Sequence, residues 1–159
     1  MTSQKPFSAE TFREIYSQVP RLCVELVIKS PEGIVLTLRS LPTWNNKWHL
    51  PGSTMRYGED VEAAAHRTAA DEIGISVTIE KMLGYIEYPS EKQERGFGRS
   101  VGLVFLCSTP SAVFKEPDEE ASLIKAFPEL PGGLIEEQKI FLESRSDWIR
   151  NSSTQRSKK

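Results

Sequence analysis

Residues 50–77 read LPGSTMRYGEDVEAAAHRTAADEIGISV, and the fold turns on how this stretch is parsed. Pro51-Gly52 makes a turn, Gly58 permits a second sharp bend, and Asp60 stands where a helix N-cap belongs. The pattern predicts a helix running to about Ile73, closed by Gly74 as a left-handed C-terminal cap. Thr68, Asp71 and Glu72 recur at spacings of three and four, so they are expected on one side, with Arg67 beside Asp71. Two adjacent acids next to a loop of backbone carbonyls offer the oxygen donors that Mg²⁺ or Mn²⁺ requires. The same acids also read as a solvated helix face.

Upstream, Ser8 caps a short helix over 9–18 with Phe12, Ile15 and Tyr16 on one face, and Pro20 ends it. That aromatic face suits packing on a sheet or on a second subunit, so a homodimer is among the expectations. Leu22–Lys29 and Ile34–Arg39 form a β-hairpin around the turn at 30–33. Glu25 is the one acid in the first strand; it points either to an exposed face or into a site. Trp44 and Trp48 flank Asn45-Asn46, and either ring serves as core under the loop or as a stacking face for a base. Trp48 is preferred as core. His49 lies within reach of a phosphate near the loop, and His66 reads as structural.

Downstream, 77–88 is β-rich with a bulge at Gly84, and the charged, glycine-flanked segment 89–98 is expected to be a mobile loop. The continuously apolar Val101–Cys107 is the candidate central strand. A short strand over 122–127 and an amphipathic helix over 134–143 follow, with Ile135, Gln138, Ile140, Phe141 and Leu142 on its inward side.

The 159 residues suit one domain, here 8–150, between a flexible N-terminus at 1–7 and a disordered polar tail at 151–159. A net charge of −2 lacks the basic surplus of a nucleic-acid binder, and small phosphorylated ligands stay open. Only two cysteines occur, both in apolar runs, which favours buried thiols over a disulfide or metal role. With neither a signal-like N-terminus nor a long apolar run, no membrane association and a cytoplasmic location are expected.

With Glu59, Arg67, Glu72, Gly74 and Ile75 in register, residues 53–75 resemble the Nudix box, G-x5-E-x7-R-E-U-x-E-E-x-G-U with U a bulky apolar residue. Asp71 replaces one Glu conservatively. Ser53 replaces the opening Gly, Thr68 the first helix Glu, and Ala69 a large aliphatic. The resemblance extends in element order from Leu22 to Glu143 and implies an α+β fold, a Nudix-type α/β/α sandwich with a mixed β-sheet. It implies a hydrolase acting on a nucleoside diphosphate linked to another moiety, with Mg²⁺ or Mn²⁺ as cofactor. By resemblance the Gly52 carbonyl, Glu59, Asp71 and Glu72 form the metal set, and Arg67 holds Glu59 and the helix acids in place.

The pattern is similar to one branch in particular, the GDP-mannose mannosyl hydrolases, which keep a reduced acid set and break the bond at the sugar carbon. That similarity gives Glu25 a role in orienting ligand and Arg39 one in stabilising the leaving diphosphate. Glu25, Arg39, Arg67 and Glu72 are thus the expected catalytic group, and Arg39, Trp44 and Arg99 the expected substrate contacts. Arg99 reads equally as a residue flanking a strand. The histidine base and glutamine ligand of that branch have no counterpart in Gly98-Arg99-Ser100-Val101, which leaves Glu87, Glu91 and Glu94 as candidate bases. Two other readings remain: pyrophosphate cleavage at phosphorus, and a catalytically silent domain that binds a nucleotide or protein partner.

Overall fold

The computed structural model describes residues 5–147 and 149, so the expected tail at 151–159 and the first four residues lie outside the described part. Strand β1 (Arg21–Ser30) is the axis of the sheet, because both of its edges are paired and one of them is shared by two strands. It pairs in parallel with β6 (Ser100–Ser108) and antiparallel with both β2 (Gly33–Arg39) and β4 (Gly52–Thr54). β6 pairs in turn with β5 (Thr78–Glu87), while β2 carries β3 (Trp48–His49) and β7 (Ala121–Phe127). One parallel pair among antiparallel ones makes the sheet mixed, as expected.

The core explains the layering. Adjacent residues of β1 point to opposite faces. Leu26 joins a cluster with Val35, Ala65, Ala69 and Ile73, whereas Val27 joins one with Leu36, Leu134, Phe141 and Leu142. The first cluster lies under α2 (Val61–Thr68) and the second under α4 (Glu136–Ser144). Helices on both faces of one sheet give the α/β/α sandwich. Among the described residues, no helix is long and apolar enough to cross a membrane.

Several expectations are corrected. Segment 89–98 is not simply a loop: it holds a short helix, α3 (Glu91–Arg95), with Glu91 buried. Strand β6 lies in the interior of the sheet, yet Leu103 and Phe105 stay partly exposed, and β1 is the more deeply buried strand. Ile140 faces outward on α4 at 60% exposure, so it is not part of the inward side. The first helix, α1 (Ala9–Tyr16), buries none of its residues and rests on Phe97 through Phe12.

Beyond Thr68, α2 continues as a π-helical turn, Ala69–Ile73, which ends at Gly74 with φ 75°. A Cβ at Gly74 would stand 2.8 Å from the Lys115 Cβ, so both the backbone conformation and the neighbour require glycine. Gly74→Ala is therefore expected to cost about 1–3 kcal/mol in denaturant unfolding, through left-handed strain plus displacement of the Lys115 segment. An unchanged midpoint would show that the cap relaxes freely.

The site follows from a divergence in the sheet. β1 and β2 are paired only at Lys29–Ile34 and Ser30–Gly33, next to their turn. Past that point β1 takes β4 as its neighbour and β2 takes β3, while β7 runs along β2 throughout. The two strands splay, and the residues at their open ends line a cleft.

Candidate active site

The box loop is fastened by one arginine. Arg67 Nε and Nη2 donate to the two Glu59 carboxylate oxygens at 2.6 and 2.9 Å, and Nη2 also donates to the Thr54 carbonyl at 3.1 Å. Such a fork fixes orientation as well as charge. It holds the Glu59 carboxyl below its ordinary range, and the Arg56 backbone N–H adds to that effect. Asp71 lies further off, 3.8 Å from Arg67 Nη1. Asp60 caps α2 by accepting from the Ala63 N–H at 2.7 Å.

Glu72 is the acid that reaches across to the sheet. The Gly52 N–H donates to its Oε2 at 3.1 Å, joining the helix to β4. Burial raises the Glu72 carboxyl to about 8, with the charge of Glu120 acting the same way and Arg39 and Lys115 opposing. Lys115 also fastens the end of the box helix, its Nζ donating to the Asp71 carbonyl at 2.7 Å.

Thr68 also faces β4, at Ser53 beside Gly52, but lies beneath the surface. It is fully buried, donates to the Ala64 carbonyl at 2.7 Å, and pairs with Ser53 Oγ at 2.5 Å. The two box departures are thus one coupled feature, since Ser53 and Thr68 satisfy each other.

Among the described residues, no three His, Cys, Asp or Glu side chains gather as a metal cage. The donors nonetheless fit Mg²⁺ or Mn²⁺ of the kind that is completed by water and substrate phosphates and uses only one or two carboxylates. Glu72, destabilised as an anion by burial and by Glu120, is a group that a cation would relieve. Metal binding must then displace its proton. Mg²⁺ affinity is expected to rise up to about tenfold per pH unit toward pH 8 and to flatten above it, as read by titration calorimetry. The sign for the metal-free fold is opposite. A carboxyl raised on folding lends stability at low pH that is lost as pH climbs through about 8.

The cleft is open to solvent, and its lining includes Glu25, Arg39, Trp44, Gly52 and Gln138. Of the two readings of Glu25, the structure takes the second: it is 7% exposed, accepts from the Tyr88 hydroxyl and from Gln138 Nε2 at 3.4 Å, and lines the cleft. Burial pushes its carboxyl up to about 7, against the Tyr88 hydrogen bond and the Arg21 charge. Gln138 is itself set by the Leu50 N–H, which donates to its Oε1 at 2.7 Å.

Arg39 Nε donates to the Thr43 carbonyl at 2.7 Å, and its guanidinium stands 5.9 Å from the Trp44 ring. Trp44 adopts φ 50° and lies 5.8 Å from the Tyr88 ring, which places it on the cleft wall. Trp48 packs edge-on to Phe127 at 4.7 Å, in the core as expected.

Other expected residues fall elsewhere. His49 lines the cleft but is not a cation for phosphate. Its Nδ1–H donates to the Leu50 carbonyl at 2.8 Å, Nε2 accepts from Thr37 at 2.8 Å, and burial lowers its pKa to about 3. Arg99 is 60% exposed, lies 4.0 Å from Glu87, and is not part of the lining. Of the candidate bases, Glu87 is outside the lining, Glu94 accepts from the Trp44 N–H at 3.3 Å, and only Glu91 lines the cleft. Sequence reasoning missed Arg21, Tyr88, Arg95, Ser100 and Gln138 as cleft residues. Gln138 did stand out as a polar residue on the inward side of α4, whereas nothing local marked the others.

The NUDIX domain family model matches residues 19–130, and the chain belongs to that family. The low-salt glycan biosynthesis protein Agl8 of Haloferax volcanii is 34% identical over 79 residues, covering 50% of this chain and 51% of that protein. The chain thus spans about half the length of the curated relative it matches. A MutT NUDIX hydrolase from Burkholderia pseudomallei is similar with a TM-score of 0.66 and 24% identity, over 79% of this chain and 97% of that one. The NUDIX domain of Shewanella oneidensis NrtR, solved with ADP ribose, is similar with a TM-score of 0.63 and 16% identity, over 90% and 94% of the two chains. At these identities the structural likeness speaks for the fold.

Proposed function

We infer that this chain is a metal-dependent hydrolase of a nucleotide sugar, GDP-mannose or a related compound, releasing free sugar and a nucleoside diphosphate. The observation that carries this reading is the single acid bridge between helix and sheet. Glu72 alone reaches Gly52, while Glu59 is held by Arg67 and Thr68 is spent on Ser53. One carboxylate suits a single ion on the departing diphosphate better than a multi-ion arrangement for attack at phosphorus.

Glu72 and the Gly52 carbonyl would hold Mg²⁺ or Mn²⁺, with Asp71 through water and Glu59 as an outer acid fixed by Arg67. Bound there, the ion would neutralise charge on the leaving diphosphate. Arg39 adds a second positive charge for the same group, and its carbonyl bond to the loop fixes where that charge sits. Trp44 offers a ring face beside it. Glu25 orients the ligand from the cleft floor, steadied by Tyr88 and Gln138.

A screen of nucleotide sugars and dinucleotides with Mg²⁺ or Mn²⁺ tests this, with products separated by phosphate content. Sugar plus nucleoside diphosphate is the expected outcome. Nucleoside monophosphate would favour a pyrophosphohydrolase instead. Binding without turnover would favour a silent nucleotide-binding domain, a reading supported by the lack of a three-ligand cluster among the described residues.

A further inference from the structure

Four polar residues of the cleft have no role in the reaction proposed above: Arg21, Glu91, Arg95 and Ser100. Glu91 is 1% exposed and sits at their centre. Its Oε2 accepts from Ser100 Oγ at 2.6 Å and Arg21 Nη2 at 2.8 Å, with Arg95 Nε at 3.7 Å. Its Oε1 accepts nothing. Arg95 Nε makes no hydrogen bond, and Glu25 Oε2, on the neighbouring strand, receives none either.

An ion-pair clamp that ties α3 to β1 and β6 explains the bonds to Glu91 Oε2. It does not explain two buried carboxylate oxygens and a buried guanidinium N–H left without partners on residues that line one cleft, since each such group is costly to desolvate. Glycines let both carboxylates lie close against the main chain, in space a side chain would fill. A Cβ at Gly98 would stand 2.9 Å from Glu91 Oε1, and one at Gly102 would overlap Glu25 Oε2 at 2.3 Å.

Charge selects the kind of ligand. Arg21 and Arg95 balance Glu91 and Glu25, so this end of the cleft has little attraction for a phosphate. Arg39, which feels the charge of Glu72, serves that purpose. A neutral hydroxyl can donate to a carboxylate oxygen and accept from a guanidinium N–H, which is the set left open here. The paired Trp44 and Tyr88 rings add an apolar wall for a sugar's C–H face.

We propose that Glu91, Arg95 and Glu25 form a subsite for the hydroxyls of an uncharged, polyhydroxylated group, the sugar end of the substrate. The proposal rests on the nucleotide-sugar reading above and assigns the end of the cleft that decides which sugar is accepted.

The test is titration calorimetry with Mg²⁺, comparing GDP with GDP-mannose, and UDP with UDP-glucose. Wild-type protein should bind at least one sugar-bearing ligand about tenfold or more tighter than its parent diphosphate. Glu91→Gln should remove most of that gap while diphosphate affinity stays within about twofold. Equal affinities in the wild type, or a variant that weakens both ligands alike, would overturn the subsite. Should Glu91→Gln fail to fold, deoxy analogues of the favoured ligand on wild-type protein decide the matter. Loss of affinity on removing a hydroxyl supports the subsite, and a flat series refutes it. Turnover is measured in parallel, so a gap without hydrolysis would refute the hydrolase reading and leave the subsite standing.

Discussion

Replacing Glu72 by Gln is expected to abolish measurable Mg²⁺ binding and to lower turnover on the order of 10²–10³-fold, because a bound cation supplies several kcal/mol of charge stabilisation at the diphosphate. The fold should persist. Gln keeps an acceptor for the Gly52 N–H, and the side chain it replaces is a destabilised acid, so thermal stability without metal should hold or rise slightly. Asp71→Asn should have a smaller effect, since Asp71 makes no bond to the sheet and sits beside Arg67. Calorimetry showing equal Mg²⁺ affinity in wild type and Glu72→Gln would remove the cation from this position.

Thr68→Glu is the second large effect, and it runs against intuition. Restoring the acid of the box adds a carboxylate, but position 68 is fully buried and its hydroxyl is shared between Ala64 and Ser53. A longer, charged side chain there loses both bonds and is forced against Ser53. The expected cost is about 2–4 kcal/mol, or a fall in melting temperature of about 5–10 °C, without a gain in metal affinity. Adding Ser53→Gly to Thr68→Glu should recover most of the loss, because the two box departures compensate each other. A single variant that melts normally and binds Mg²⁺ more tightly would mean that Thr68 faces the cation after all.

The box was legible because its signals are local. Asp60, Gly74 and the Arg67–Glu59 spacing encode a cap, a stop and a fork within one stretch, and the structure contains all three. The hairpin and the inward side of the last helix were legible for the same reason, through periodicity. What stayed hidden depends on contacts distant in sequence. Glu91 lies 70 residues from Arg21, and in the charged run 89–98 nothing separates a buried acid from a solvated one. The π turn was equally hidden, since a helix with one wider turn has the same composition as a regular one. His49 misled in another way: proximity to a loop suggested a phosphate contact, but its hydrogen bonds to Thr37 and Leu50 fix a neutral ring.

The reaction's position is the central claim, and hydrolysis of GDP-mannose in ¹⁸O-labelled water with Mg²⁺ tests it most directly. Attack at the sugar carbon places the label on free mannose and leaves GDP unlabelled. Arg39→Gln should then lower kcat more than it raises KM, because charge on the departing diphosphate grows toward the transition state. Label in GDP, GMP or mannose phosphate would show attack at phosphorus and contradict the account.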